Sequence, residues 1–263
     1  MKNSRYLGAL MIAPFILFIF LGGLPLKLFT IAISLIGMFE FYRALKQKDF
    51  NPISVIGYVL LIGYYVLNNN FEYTMYLIII ATFLLLVIPV IDLKYTFIDV
   101  ALTMLGFIYI GIFFSFIYLV SSKINGEYYV WLIFIGSWIT DTAAYYAGRF
   151  LGKTKLCPKV SPKKTVEGSL GGLIGAALVC AIFGYIVGIY IDTFPIYHYV
   201  IIGVLCGVFS QFGDLVASSI KRFVEIKDYG NLIPGHGGIL DRFDSILFSG
   251  VIVFYYLTFI VGI

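Results

Sequence analysis

Between Lys221 and Ser245 the chain reads "KRFVEIKDYGNLIPGHGGILDRFDS". Lysines, arginines, aspartates, a glutamate, a histidine and four glycines crowd this stretch, in a chain otherwise dominated by Ile, Leu, Phe, Val and Tyr. Upstream, Asp141 and Asp214 fall within or at the end of apolar runs. An ionisable group at membrane depth costs about 2.5–3.5 kcal/mol on insertion scales, so each such carboxylate is by default a functional hypothesis.

The spacing says what they could do. In "SQFGDLVASSIKR", Ser210, Asp214, Ser218 and Lys221 stand at i, i+4, i+8 and i+11, one helix face, and the stripe ends at Lys221 and Arg222. A helix contact held by Ser and Asp is the plainer alternative. Asp241 and Asp244 stand at i and i+3, neighbours if a helix begins there, where a capping role is the plainer alternative. If Asp214, Asp241 and Asp244 converge, they repel one another unless a cation sits among them. Oxygen ligands without a Cys or His cluster select a hard ion, Mg²⁺ foremost, and Mg²⁺ so held usually meets phosphates. Gly235, Gly237 and Gly238 around His236 would let backbone N–H groups approach an anion, unless His236 is merely locked into a turn.

The elements that must position these groups are membrane helices. The chain is 61% hydrophobic and 12% charged, with a mean hydropathy of +0.99, far outside the range of a soluble domain. Stretches of roughly 20 apolar residues can each cross a hydrocarbon core of about 30 Å. Hydropathy predicts an all-α polytopic protein with nine helices at 6–22, 25–43, 52–68, 72–91, 97–120, 128–148, 169–190, 197–221 and 242–262. The basic, apolar start lacks a small-x-small cleavage site and reads as a retained first span. If the helices alternate, sixteen of the eighteen Lys and Arg residues fall on one side, with Lys27 and Lys123 on the other. The positive-inside rule then puts the N-terminus in the cytoplasm. Residues 1–263 form one integral membrane domain, with 1–124 as supporting helices and 125–263 as catalytic helices and cytoplasmic loops. Glu40 and Arg43, three residues apart at the end of the second helix, read as an interfacial pair. Cys157, Cys180 and Cys206 have neither zinc-site nor disulfide spacing.

A second polar region, "GRFLGKTKLCPKVSPKKTVEGSLGG", holds six cations and one acid, Glu167. It is not a P-loop, because three residues rather than four separate Gly148 from Gly152 and a membrane helix precedes it instead of a strand. Two or three of its charges suffice to orient a helix, and contact with anionic lipid could use the surplus. A transporter would place polar groups near the midplane of repeated, interrupted helices, and no such symmetry is present. An enzyme acting on a lipid headgroup and a polyphosphate would cluster carboxylates and cations at one end of a few helices, as here.

The stretch Ser218 to Ser245, with S-x-x-K-R, then K-D, then P-G-H-G-G-x-x-D-R-x-D, resembles the signature of the CDP-diacylglycerol synthases, the phosphatidate cytidylyltransferases. "SPKKTVEGSLGG" and "DTAAYYAGR" resemble stretches upstream of it, with Ala143 where that family more often has glycine. The motifs cover about residues 137–250. The resemblance implies CTP and phosphatidic acid as substrates, CDP-diacylglycerol and pyrophosphate as products, Mg²⁺ as cofactor, a homodimer, and a multi-pass place in the inner cell membrane with the site facing the cytoplasm. No nucleic acid is involved. It also implies roles: Asp214, Asp241 and Asp244 for metal; Lys221 and Arg222 with them in catalysis; Asp141, Lys163, Lys164, Ser218, Lys227, Asp228, His236, Gly237, Gly238 and Arg242 for substrate. A relative acting on an archaeal ether lipid, or a CTP-dependent polyprenol kinase, would share the same metal and nucleotide logic. The first half of the chain carries no motif.

Overall fold

The computed structural model describes residues 15–67, 70–232 and 237–263. Its helices are α1 (described over 15–21), α2 (Gly23–Lys46), α3 (Ser54–Val66), α4 (Phe71–Ile91), α5 (Phe97–Ser121), α6 (Gly126–Leu151), α7 (Val166–Tyr190), α8 (Ile196–Phe223) and α9 (Leu240–Val261). Among the described residues, six of them (α2, α4, α5, α7, α8 and α9) are long and apolar enough to cross a membrane, which makes this a multi-pass membrane protein. That is fewer than the nine spans read from hydropathy. α3 has only 13 residues, about 20 Å of helix, and α6 has the length but carries Glu127, Asp141 and Arg149.

One departure from an all-helical chain lies in the second polar region. Residues expected to form an irregular cationic loop fold as a β-hairpin, β1 (Lys155–Cys157) against β2 (Ser161–Thr165), with Lys155 opposite Thr165. Pro158 falls in the turn, outside the ladder, so its missing N–H leaves the strand pairing intact. Glu167 ties the hairpin's entry to α7 by accepting the Lys153 and Thr154 N–H groups at 3.0 and 3.1 Å.

Small residues bring the helices of the second half together. A Cβ on Gly171 would lie 2.3 Å from the Ala147 Cβ, and one on Gly175 would lie 2.6 Å from the Ala143 Cβ, so α6 and α7 pack almost backbone to backbone. Ala143 fits because Gly175 faces it. Gly203 against Ala176 does the same for α7 and α8. In the first half, the Tyr42 hydroxyl donates to the Thr103 carbonyl at 2.7 Å, and Gly57 and Gly106 leave space for its ring between α3 and α5.

Connections gather at two ends of the bundle. At one, Asn51 N–H donates to Asp99, Lys48 pairs with Glu225, and the Arg222 side chain points toward the Val160 carbonyl in the hairpin. At the other, the Lys123 ammonium bonds the Ile263 carbonyl and lies 4.7 Å from the Phe254 ring centre, while Tyr129 meets Thr193. Lys27 sits over the Tyr118 ring. The loops after α2, α4, α6 and α8 thus share an end, and Lys27 and Lys123 lie at the other.

Candidate active site

Three carboxylates from three helices lie in one neighbourhood near the cation-rich end, within range of one another's charge. Gly213 makes the approach possible, since a Cβ there would lie 2.4 Å from the Asp244 carbonyl oxygen; α8 and α9 therefore touch at the level of Asp214 and Asp244. Asp141 on α6 completes the group, and the charges of the three act on one another. Asp244 is buried, and its Oδ1 accepts the Ser245 N–H at 2.7 Å. Asp214 is half-buried and ion-paired to Lys164, which reaches across from β2. Asp141 is surrounded by protein yet accessible from a cavity of about 300 Å³ between α6, α7, α8 and the hairpin. Tyr145, Arg149, Lys163, Lys164 and Gln211 also line it.

Asp241 differs from the other two aspartates expected to hold metal. Its Oδ1 accepts the Lys221 ammonium at 2.8 Å, and its Oδ2 accepts the Tyr229 and Gly238 N–H groups at 2.7 and 3.0 Å. Both oxygens are engaged within the protein, where Asp241 anchors the loop to α9 at Tyr229 and Gly238. Lys221 is correspondingly held by Asp241 rather than directed at open solvent.

The donor set suits a magnesium ion that arrives with a nucleotide. Among the described residues no group of three or more Asp, Glu, His and Cys is close enough to enclose a metal. Mg²⁺ does not require one: it is usually held by one or two carboxylates and completed by water and substrate phosphates. Asp214 and Asp244 can supply those carboxylates.

The loop bearing the signature is gripped from the first half of the chain. Glu40 accepts the Ile239 and Leu240 N–H groups at 3.1 and 2.9 Å, one on each carboxylate oxygen. Arg43 donates to the Tyr229 carbonyl at 2.7 Å. The two residues therefore hold the loop at separate points, which replaces the interfacial pair expected of them. Gly230 and Gly238 leave room for the Glu40 carboxylate, where a Cβ would lie 2.4 Å from its Oε1. Gly237 has φ +86°, a left-handed turn that a side chain would strain. Tyr229 is buried against this anchor, its hydroxyl donating to the Ala217 carbonyl at 3.1 Å, and burial pushes its phenol well above the usual range. Lys48 holds the exposed Glu225 carboxyl below its ordinary value.

The remaining expected residues spread outward. Ser218 is half-buried on α8, and Arg222, Lys227, Asp228, Arg242 and Lys163 are exposed. Of these, Arg242 is near enough for its charge to act on Asp141. His236 and Gly235 lie outside the described residues. Sequence reasoning missed Glu40 and Arg43 as loop holders and gave Arg149 and Gln211 no place in a cavity. For Glu40 a signal existed, an acid inside an apolar helix, but it was assigned to its neighbour on the same helix.

The arrangement can bind phosphate-bearing groups beside a carboxylate in a partly enclosed, cation-lined space with the exposed Tyr145 on its wall. Comparison with known proteins agrees with that chemistry. The model of the cytidylyltransferase family matches residues 3–260. A phosphatidate cytidylyltransferase of Bacillus subtilis is 36% identical over 257 residues, covering 94% of each chain. One from Staphylococcus saprophyticus is 35% identical over 238 residues, covering 86% of this chain and 87% of its own. One from Staphylococcus aureus is 33% identical over 258 residues, covering 94% and 95%.

Proposed function

The chain belongs to the cytidylyltransferase family, and on that premise we propose that it transfers the cytidylyl group of CTP to phosphatidic acid, giving CDP-diacylglycerol and pyrophosphate at the cytoplasmic membrane face. The observation that carries the reading is the pairing of Asp214 with Lys164, a lysine that lines a cationic cavity, at the level where α8 touches α9 beside Asp244 and at the end of the bundle where most of the positive charge collects.

The reaction needs little acid-base chemistry. The phosphate of phosphatidic acid is already an anion and attacks the α-phosphorus of CTP; the bond from that phosphorus to the β-phosphate oxygen breaks, and pyrophosphate leaves. What remains for the protein is to align two anions and to neutralise charge growing on the leaving group. Lys164, Lys163 and Arg149 supply positive charge inside and at the mouth of the cavity. Asp214 and Asp244 would hold Mg²⁺, which when bound screens phosphate oxygens and stabilises the leaving pyrophosphate. Asp141 is within reach of the same charges and orients the bound groups. Asp241, paired with Lys221, holds the loop at Tyr229 and Gly238. The exposed Arg222, Arg242, Lys227 and Asp228 would meet substrate groups together with Ser218, His236, Gly237 and Gly238.

The same proposal includes nine membrane crossings with a cytoplasmic N-terminus, a place in the inner cell membrane, and a homodimer. Charge segregation supports the topology, because the loops after even-numbered helices share one end of the bundle. The dimer rests on the family resemblance alone. Vesicles test sidedness: CTP, which cannot cross the bilayer, should be consumed by inverted vesicles carrying the protein and ignored by right-side-out ones. Equal use by right-side-out vesicles would overturn the cytoplasmic placement.

A further inference from the structure

One polar group beside the carboxylates belongs to the half of the chain without a motif. Tyr109 lies in the π-helical turn Phe107–Ile112 of α5, is only 5% exposed, and its hydroxyl has no hydrogen-bond partner among the described residues. Its ring packs against Phe248, with ring centres 6.3 Å apart, one helical turn beyond Asp244 on α9. Phe41 and Phe113 enclose the rest at 6.4 and 5.9 Å.

Three facts about this residue need one explanation. Burying a hydroxyl without a partner is costly, and Phe would fill the same aromatic pocket without that cost. This chain uses Phe freely nearby, at positions 107, 113, 114 and 116. A π turn is itself less favourable than continuous α-helix and recurs at functional sites because it redirects the side chains it carries. Here it sets a lone O–H donor against α9, one helical turn from the acceptor-only carboxylate of Asp244.

We propose that Tyr109 is a positioning residue for the divalent cation: its hydroxyl donates to the Asp244 carboxylate once ion and nucleotide are bound, and so orients that carboxylate as a ligand. The inference rests on the reading that Asp214 and Asp244 hold the ion. Asp214 pairs with Lys164, and the Asp244 Oδ1 accepts the N–H of Ser245. Drawing Lys164 toward substrate phosphate would free Asp214 for the ion, and a hydrogen bond from Tyr109 would hold the Asp244 carboxylate in place for it. Partners of this kind, one step removed from the metal, typically change affinity by about 10- to 100-fold.

The test needs no turnover. Mn²⁺ is titrated by electron paramagnetic resonance into the purified full-length protein with CTP and no lipid substrate, comparing wild type, Tyr109→Phe and Asp244→Asn, and thermal midpoints are recorded alongside. Tyr109→Phe should bind Mn²⁺ roughly tenfold or more weakly, while its midpoint stays level or rises, because a buried unpaired hydroxyl has been removed. Binding within twofold of wild type would overturn the proposal. So would a lowered midpoint, since the hydroxyl would then have a structural partner. If wild type and Asp244→Asn bind Mn²⁺ equally, the metal reading itself has failed, and the role of Tyr109 falls with it.

Discussion

Replacing Lys164 by Gln separates a lysine that orients a helix from one that meets substrate. Its ammonium is paired with Asp214, and the two side chains are 24% and 29% exposed. Removing one partner of a fully buried ion pair costs about 3–5 kcal/mol. This pair is partly hydrated and Gln can still hydrogen-bond, so the loss of stability should be only about 1 kcal/mol. The catalytic loss should be larger. A charge-assisted hydrogen bond to phosphate contributes about 1.5–3 kcal/mol, which is roughly a ten- to hundredfold fall in kcat/KM. Lys163 is the control: it neighbours Lys164 on β2, is exposed at the cavity mouth, and should cost only about threefold when changed to Gln, as expected of a screened charge. Lys153, Lys155 and Lys159 remain to hold the loop on its own side. The assay is initial rate against CTP concentration in detergent micelles containing phosphatidic acid. A deficit that persists at saturating CTP marks transition-state stabilisation, whereas recovery marks ground-state binding; we expect persistence. Activity of Lys164→Gln within twofold of wild type, with insertion confirmed, would refute the reasoning and leave the hairpin's charges a purely topological role.

The aspartates should divide by role: Asp214→Asn and Asp244→Asn should remove most turnover, with Asp214→Asn lowering the thermal midpoint no more than Lys164→Gln does, since it breaks the same partly hydrated pair, whereas Asp241→Asn should lower the midpoint further, breaking a buried pair with Lys221 that is worth up to about 3–5 kcal/mol to disrupt. Equal midpoints for all three would return Asp241 to the metal. Glu40→Gln turns one acceptor into a donor facing a backbone N–H, and an unsatisfied buried group costs about 1–3 kcal/mol; hydrogen exchange should accelerate at Ile239 and Leu240, and Glu40→Asp should restore part of the protection. Because Lys48 holds the Glu225 carboxyl below its ordinary value, the pair contributes above the unfolded carboxyl pKa near 4.5 and is lost as pH falls through the lower folded value; Lys48→Ala should leave the midpoint unchanged at pH 3 and lower it slightly at pH 7. In a cysteine-free variant, single cysteines at positions 47, 124, 160 and 229 should react with an impermeant thiol reagent from outside only at 124, and reaction at 160 or 229 would reverse the topology.

The second half of the chain was legible because its chemistry runs against its surroundings. Asp214 and Asp241 to Asp244 stand out in apolar sequence, and their spacing places them on helix faces that α8 and α9 do present. The hairpin at 155–165 was not legible: its charges mask the strand alternation, and the pairing is set by the turn and by Glu167 tying it to α7. The division of labour among the carboxylates was hidden for a different reason. Asp241 and Asp244 are three residues apart and chemically identical, yet one takes two backbone N–H groups and a lysine from elsewhere in the chain while the other takes the N–H of its own neighbour, Ser245. Glu40 and Arg43 act across more than a hundred residues of separation, and local pattern carries no trace of a partner that distant. Helix lengths were easier to place than crossings, since α3 is short and α6, though unbroken, carries Glu127, Asp141 and Arg149 in its otherwise apolar sequence.

The most direct test of the central claim uses CTP labelled in two positions, with phosphatidic acid, Mg²⁺ and the purified protein in detergent. Cytidylyl transfer puts the α-phosphate of CTP into the lipid and releases the γ-phosphate in pyrophosphate, so label from α-labelled CTP should move to the lipid fraction as CDP-diacylglycerol and label from γ-labelled CTP should stay in water. Lipid labelled from the γ position would mean a kinase, and transfer of the α label only when an archaeal ether lipid replaces phosphatidic acid would mean another acceptor; either result would contradict the account.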